Sequence, residues 1–284
     1  MTGLPPDSHT HTQWSWDATA GDMVGSCARA VELGLPAIAF TEHVDITRWV
    51  IPPDRQERMT VHGRGVASDG RFDPPPLDVD GYRASLEHCR ERFPELRILS
   101  GVELGEPHWF PDEVDELLAS GAFDRILGSQ HTVELDGRPW IVDSLDHGDV
   151  PPDLTPEAIV RAHLSEMLEL VTGCDRFEVL AHVDYAVRRW PDGPAAFPVT
   201  RFEEEFREVL RALAGTDRTL ELNTVIPLDR RIVAWWVDVG GRTLTFGSDA
   251  HAPAVVGHGL AEAAGLARSL GFRPGRHPSD PWHR

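Results

Sequence analysis

Leu35-Pro36-Ala37-Ile38-Ala39-Phe40-Thr41-Glu42-His43 is an apolar run of strand length that ends on a carboxylate and an imidazole. Leu35 to Thr41 reads as a strand buried on both faces, because polar residues do not alternate through it. Just before it, Asp22 to Leu33 has helical period and stops at Gly34, a residue suited to the left-handed turn after a helix. The same unit recurs along the chain. Further strands are expected at Leu96–Glu103, Phe123–Ser129, Phe177–His182, Thr219–Asn223 and Thr243–Ser248, with a shorter first strand leading into His9. Helices are expected at Asp80–Phe93, Glu113–Ser120, Thr200–Ala214, near Asp229–Val239 and at Leu260–Leu270. Another begins at Thr155-Pro156-Glu157, a capping residue followed by proline, and carries the stripe Val160, Leu164, Met167, Leu168 and Val171. About seven strand–helix units joined by right-handed crossovers predict an α/β fold with a parallel sheet closed into a barrel.

The whole chain, 1–284, reads as one domain, since no linker divides it and barrels of this length are ordinary single domains. Val44–Val79 is poor in apolar residues and contains Pro52-Pro53 and Pro74-Pro75-Pro76, so it is expected to be a long loop beside the mouth. His62-Gly63-Arg64-Gly65 within it lacks the flanking strand and helix of a phosphate-cradling loop. The C-terminal stretch reads as a polar tail. A formal charge of −19 excludes a broad surface for long nucleic acids, which needs Lys and Arg against phosphates. Cys27, Cys89 and Cys174 are too far apart in sequence for a thiolate zinc motif or a disulfide framework. No basic and apolar leader opens the sequence and no run nears the ~20 residues of a membrane span, so a cytoplasmic setting without membrane contact is expected.

The chemistry sits at the strand ends. His9 and His11 follow the first strand, with Asp17 in the loop beyond; His43, Glu103, His131 and His182 end the next four, and Asp249 and His251 the last. A single histidine after a strand means little, and an Asp there is often only a helix cap. Six imidazoles and three carboxylates at the same end of six strands are another matter. In extended backbone, residues two apart share a face, so His9 and His11, like Asp249 and His251, can reach one ion. Nitrogen and carboxylate ligands together suit zinc, manganese or iron.

These motifs, His9-Thr10-His11, Phe40-Thr41-Glu42-His43, Gly101-Val102-Glu103, Gly128-Ser129-Gln130-His131, Ala181-His182-Val183-Asp184 and Gly247-Ser248-Asp249-Ala250-His251, resemble those of the PHP (polymerase and histidinol phosphatase) superfamily, from about Asp7 to Gly271. Within it the similarity is greatest to the PHP-type histidinol-phosphate phosphatases. The resemblance implies a distorted seven-stranded (β/α)7 TIM-like barrel with two to three divalent ions at the C-terminal face of the strands. His9, His11, Glu103 and Asp249 would hold the first ion. Glu103 would bridge to a second, completed by His131 and His182, and Asp17, His43 and His251 would hold a third. Glu42 and Asp184, next to ligands in sequence, are candidates to orient imidazoles.

A metal-bridging hydroxide attacking a small phosphate monoester, L-histidinol phosphate first, is the expected reaction. Glu103, Asp17 and His251 are its candidate catalytic residues, the last two for the leaving group's proton. Neither a GxSxG elbow nor a Cys–His pair is present to supply a protein nucleophile. Arg188 and Arg189 are the candidates to grip the phosphate; Arg48, Arg230 and Arg231 are weaker ones. Trp14, Trp16, Trp49 and Trp109 fall where they could wall a pocket, although packing explains any one of them. Two other readings stay open: a nuclease or nucleotide phosphoesterase, and a metal-binding PHP module without catalysis. Glu106, near Glu103, has no role assigned.

Overall fold

Eight strands make one curled sheet whose order places every parallel strand with its carboxyl end at the same mouth. The computed structural model describes residues 3–51, 67, 69–121, 123–135, 137–142 and 155–284. The sheet is formed by β1 (Asp7–Thr10), β2 (Ala37–Asp45), β5 (Arg97–Gly105), β6 (Arg125–Ser129), β9 (Val179–Leu180), β10 (Thr219–Asn223), β11 (Thr243–Gly247) and β12 (Trp282–His283), in that spatial order. All neighbours pair in parallel except β11 with β12. Two antiparallel pairs lie outside it, β3 (Trp49–Val50) with β4 (Arg71–Phe72) and β7 (Thr132–Leu135) with β8 (Arg138–Ile141). Curling brings the ends of β11 and β1 together through a parallel bridge between Thr10 and Ala250, where the His11 amide donates to the Ala250 carbonyl at 2.8 Å. The result is a mostly parallel α/β sheet of distorted-barrel form.

Helices α1 (Met23–Leu33), α2 (Val79–Arg92), α3 (Pro111–Ala119), α4 (Pro156–Gly173), α5 (Glu203–Ala214), α6 (Arg230–Asp238) and α7 (Leu260–Ser269) alternate with these strands. Local signals account for their limits. Gly34 ends α1 at φ 68°, and the Thr155 hydroxyl accepts the Ala158 amide at 3.2 Å to open α4. The main core lies between sheet and helices: Ile38, Phe40, Leu220, Leu222, Leu244 and Phe246 meet Cys27, Leu86, Leu213, Val233 and Leu260. In α4 the buried stripe runs through Val160, Leu164, Met167, Leu170 and Val171, with Leu168 only half-buried.

Three expectations are corrected. β2 does not stop near Thr41: it pairs with β5 as far as Asp45 opposite Gly105, which carries two more acidic residues into the wall. Val44–Val79 is therefore not wholly loop, since it also holds β3, β4 and the start of α2; Pro52-Pro53 and His62-Gly63-Arg64-Gly65 lie outside the described residues. Nor is the C-terminus a polar tail. Trp282 is buried, pairs with Leu244, meets the Phe246 ring edge-on at 4.8 Å and is covered by the Arg268 guanidinium. β12 thereby covers the edge of β11, whose amides and carbonyls would otherwise face water. Among the described residues no helix is long and apolar enough to cross a membrane.

Candidate metal centre

Glu103, fully buried near the end of β5, is the hub. Its Oε1 lies 2.6 Å from His182 Nε2 and 3.2 Å from His131 Nε2. Its Oε2 lies 3.1 Å from His43 Nδ1, 3.3 Å from His9 Nε2 and 3.4 Å from His11 Nε2. Five imidazoles from β1, β2 and the ends of β6 and β9 thus converge on one carboxylate. Asp249 enters from the end of β11 with φ 53°, a left-handed conformation that Asp tolerates better than most residues. That turn sets its Oδ1 3.3 Å from His11 Nε2, while Arg188 and Asn223 take Oδ2 at 2.7 and 3.4 Å.

The remaining pair sits outward. Asp17 Oδ2 lies 3.1 Å from His251 Nε2 and 3.4 Å from His43 Nε2, and both Asp17 and His251 keep about a third of their side-chain surface, 30% and 35%. The structure therefore gathers all nine expected residues. Four groups have ligand atoms within 4.8 Å of one another: His9, His11 and Glu103; His9, His182 and Asp249; His43, Glu103 and His131; and His11, His43 and His251.

The chemistry of the donors fits metal ions. The Nε2 atoms of His9 and His11 face each other at 3.0 Å, and Glu103 Oε2, His43 Nδ1 and Asp17 Oδ1 are buried without a hydrogen-bond partner. Lone pairs aimed at one another in a dry site call for a cation between them. Electrostatics agree. Burial opposes charge on every member, yet the imidazoles around Glu103 hold its carboxyl well below the usual range, and those near Asp17 and Asp249 do the same. Burial likewise opposes a proton on His9 and His131, but the carboxylates beside them raise both well above an ordinary histidine. His11 goes the other way, lowered by burial and then by the charges of His43 and His251. The cluster shares limited positive charge among its imidazoles, and divalent ions would supply it in place of protons.

Sequence reasoning missed the residues beneath the cluster. Glu221 and Asn223 point inward from β10, the one parallel strand that supplies no expected ligand, and Asp45 points inward from β2. Ser15 donates to Glu42 at 2.5 Å, so its oxygen accepts the His43 amide and His11 Nδ1–H, each at 3.0 Å. Glu42 thus acts on His11 through Ser15. Asp184 is buried, which raises its carboxyl to about 6 against the pull of Arg188. Glu106 is not a residue without a role. Fully buried and at φ 46°, it accepts the His131 amide at 2.6 Å, the Thr132 amide at 2.9 Å and the Thr47 hydroxyl at 2.7 Å, fixing the loop that carries His131. The strict polar–apolar alternation of Thr219-Leu220-Glu221-Leu222-Asn223, which sets Glu221 and Asn223 on one face of the strand, was the available signal for both.

The arginine and tryptophan candidates sort by position. Arg188 borders the cluster through Asp249 and stacks its guanidinium on Tyr185, with Arg189 half-buried beside it. Arg48, Arg230 and Arg231 contact Asp73, Ser269 and Asp229 away from the cluster. Trp16 and Trp49 are buried with Ile51, Phe72 and Ile141 in a small core beside His43, and Trp16 donates to Asp45 at 2.7 Å. Trp14 packs on the main core and Trp109 is half-buried next to His108.

A curled parallel sheet whose strand ends surround one buried glutamate with imidazoles defines a metal-binding α/β protein. More particularly, residues 7–225 match the PHP domain, and the chain belongs to that family. The match ends before Asp249 and His251, which the fold returns to the site. The chain is 23% identical over 278 residues to the histidinol-phosphatase of Lactococcus lactis subsp. lactis (strain IL1403), spanning 94% of this chain and 91% of that protein. It is 30% identical over 273 residues to a probable histidinol-phosphatase of Thermotoga maritima, spanning 94% and 92%. Its fold is similar, at a TM-score of 0.77 and 23% identity, to the crystal structure of the Lactococcus lactis histidinol phosphate phosphatase complexed with zinc, L-histidinol and phosphate, over 96% of this chain and 95% of that one.

Proposed function

We propose that this chain is a metal-dependent phosphatase that hydrolyses a small phosphate monoester, L-histidinol phosphate in the first place, on a (β/α)7 barrel with two to three zinc, manganese or iron ions. The convergence of five imidazoles on Glu103 carries the reading. The names of the relatives and the ligands of the Lactococcus lactis structure support the substrate. His9, His11, Glu103 and Asp249 would hold one ion, Glu103, His131 and His182 a second, and Asp17, His43 and His251 a third. Bound ions would activate water and neutralise charge developing on the phosphoryl group.

The chain's own residues do the rest. Arg188 already contacts Asp249 at the edge of the cluster, so its guanidinium is placed to grip non-bridging phosphate oxygens. Arg189 is the adjacent candidate. Asp17 turns Oδ2 toward His43 and His251 and leaves Oδ1 without a partner. That oxygen, buried on the outer side of the cluster, can take a proton from the attacking water and return it to the leaving alkoxide as the P–O bond breaks.

The test is a phosphate-release comparison of histidinol phosphate with sugar phosphates, nucleotides, aryl phosphates and short oligonucleotides, after loading with zinc or manganese. Histidinol phosphate should lead in kcat/KM, and a chelator should abolish turnover. Arg188→Ala should raise KM while bound metal stays constant by elemental analysis. A lead for nucleotides or oligonucleotides would transfer the reading to a nuclease-type phosphoesterase, and absence of bound metal would overturn it.

A further inference from the structure

Twice in this site a carboxylate outside the expected ligand set faces an imidazole within it. Glu221 Oε1 lies 2.8 Å from His9 Nδ1, and its Oε2 accepts the His182 amide at 2.9 Å and the Asn223 side-chain amide at 3.2 Å. Asp45 Oδ1 lies 3.0 Å from His131 Nδ1, while its Oδ2 accepts the Trp16 indole N–H. An ionised carboxylate only accepts, so the shared proton resides on Nδ1, and an ion that replaces the second proton finds the lone pair on Nε2. In both residues that Nε2 points at Glu103, His9 toward one oxygen and His131 toward the other.

The strands that flank these pairs have made room for them. A Cβ at Gly247 would overlap Glu221 Oε1 and come within 2.5 Å of His9 Cβ. A Cβ at Gly105 would overlap Asp45 Oδ1 and come within 3.4 Å of His131 Nδ1. Neither glycine is at positive φ, so backbone conformation does not demand it at either position. What both positions require is the absence of a side chain.

We propose that Glu221 and Asp45 are positioning residues that clamp His9 and His131 through Nδ1, and that Gly247 and Gly105 are the seats in which these clamps lie. The proposal rests on the metal-centre reading above. It gives β10 a part in the site although it holds no ligand: the strand braces ligands of β1 and β9 from below. A clamped imidazole loses no rotational freedom on binding an ion and is a stronger base, so the effect falls on metal affinity.

Zinc affinity is measured by competition with a chromophoric chelator on the full chain, with ¹⁵N-histidine NMR on the zinc-loaded form. Glu221→Gln and Asp45→Asn preserve volume and should each weaken zinc binding by about 10–100-fold. The NMR spectrum of the parent protein should show His9 and His131 protonated at Nδ1. Glu221→Gln should shift His9 and leave His131 in place, while Asp45→Asn should shift His131, and His43 at 3.5 Å from Asp45 Oδ2, and leave His9 in place. Gly247→Ala, which alters no charge, should weaken zinc binding at least as much as Glu221→Gln, because its Cβ displaces both that carboxylate and His9. Glu113→Gln, an exposed acid on α3, serves as control. Parental affinity and unchanged histidine resonances in Glu221→Gln and Asp45→Asn would overturn the proposal even if Gly247→Ala failed to fold. A parent that takes up no zinc would overturn the metal-centre reading itself, so the two failures are distinct.

Discussion

The inner and outer halves of the cluster are built differently. On the inner side, His9, His11, His131, His182 and Glu103 are at most 4% exposed, and strands or their immediate ends carry them. Their other nitrogens are largely committed: His9 to Glu221, His11 to Ser15, His131 to Asp45. On the outer side, Asp17 and His251 ride on loops, remain about a third exposed and have chiefly each other, His43 and Asp249 as polar neighbours. Burial and second contacts hold the first group in one arrangement before any ion arrives. The second is set by loop backbone and admits water. An ion on the inner side should therefore be retained, and one on the outer side exchanged.

The largest effect is expected at the hub. Glu103→Gln removes the charge common to the inner ligands, so kcat/KM should fall by about a thousandfold or more, several kcal/mol of transition-state stabilisation. Elemental analysis should show more than one ion lost. Glu106→Gln is no neutral comparison, because it loosens the amides of His131 and Thr132; Glu113→Gln is. Turnover within twofold of the parent for Glu103→Gln would end the hub assignment.

His251→Asn should do less. It takes one ligand from the outer pair, and turnover should drop by roughly a hundredfold while the inner metal is kept. Brief exposure of the parent to a weak chelator should mimic the variant, removing the outer ion first. Equal loss of all metal in His251→Asn and Glu103→Gln would erase the distinction between the halves.

That distinction also marks where the sequence was readable. The proposed ligands are visible in sequence because all but Asp17 end or closely follow an apolar strand run, and the alternation of strand and helix orders them at one mouth. The braces carry no such mark. Asp45 lay in a stretch that composition assigned to loop, since its partner is strand register with Gly105, a property of pairing and not of local sequence. Glu106 looked like any acid after a strand, and only its positive φ and three donors reveal it. Trp282 sat among polar residues, and its burial depends on the distant edge of β11. Long-range pairing decides these residues, and single-sequence periodicity does not contain it.

The smallest expected effect concerns His163, a fully buried histidine on α4 that holds no ligand position but supports the inner side. Its Nε2 lies 2.9 Å from the Gln130 carbonyl, one residue before His131, and the ring stacks on Tyr185. Burial, with no carboxylate in hydrogen-bond reach, lowers its pKa to about 4. The folded chain therefore keeps it neutral while the unfolded chain takes up a proton below its ordinary value of 6.5. Its contribution to stability is complete above that value and declines as the pH falls from about 6.5 toward about 4. Between pH 7 and pH 5 the loss from this one group should be about 2 kcal/mol. His163→Gln keeps a donor for the Gln130 carbonyl but has no titrating nitrogen. Denaturant midpoints at the two pH values should move less in this variant than in the parent, with zinc affinity at pH 7 nearly unchanged. A parental pH dependence in His163→Gln would mean that the site histidines alone set the acid sensitivity, and that the scaffold behind His131 contributes none of it.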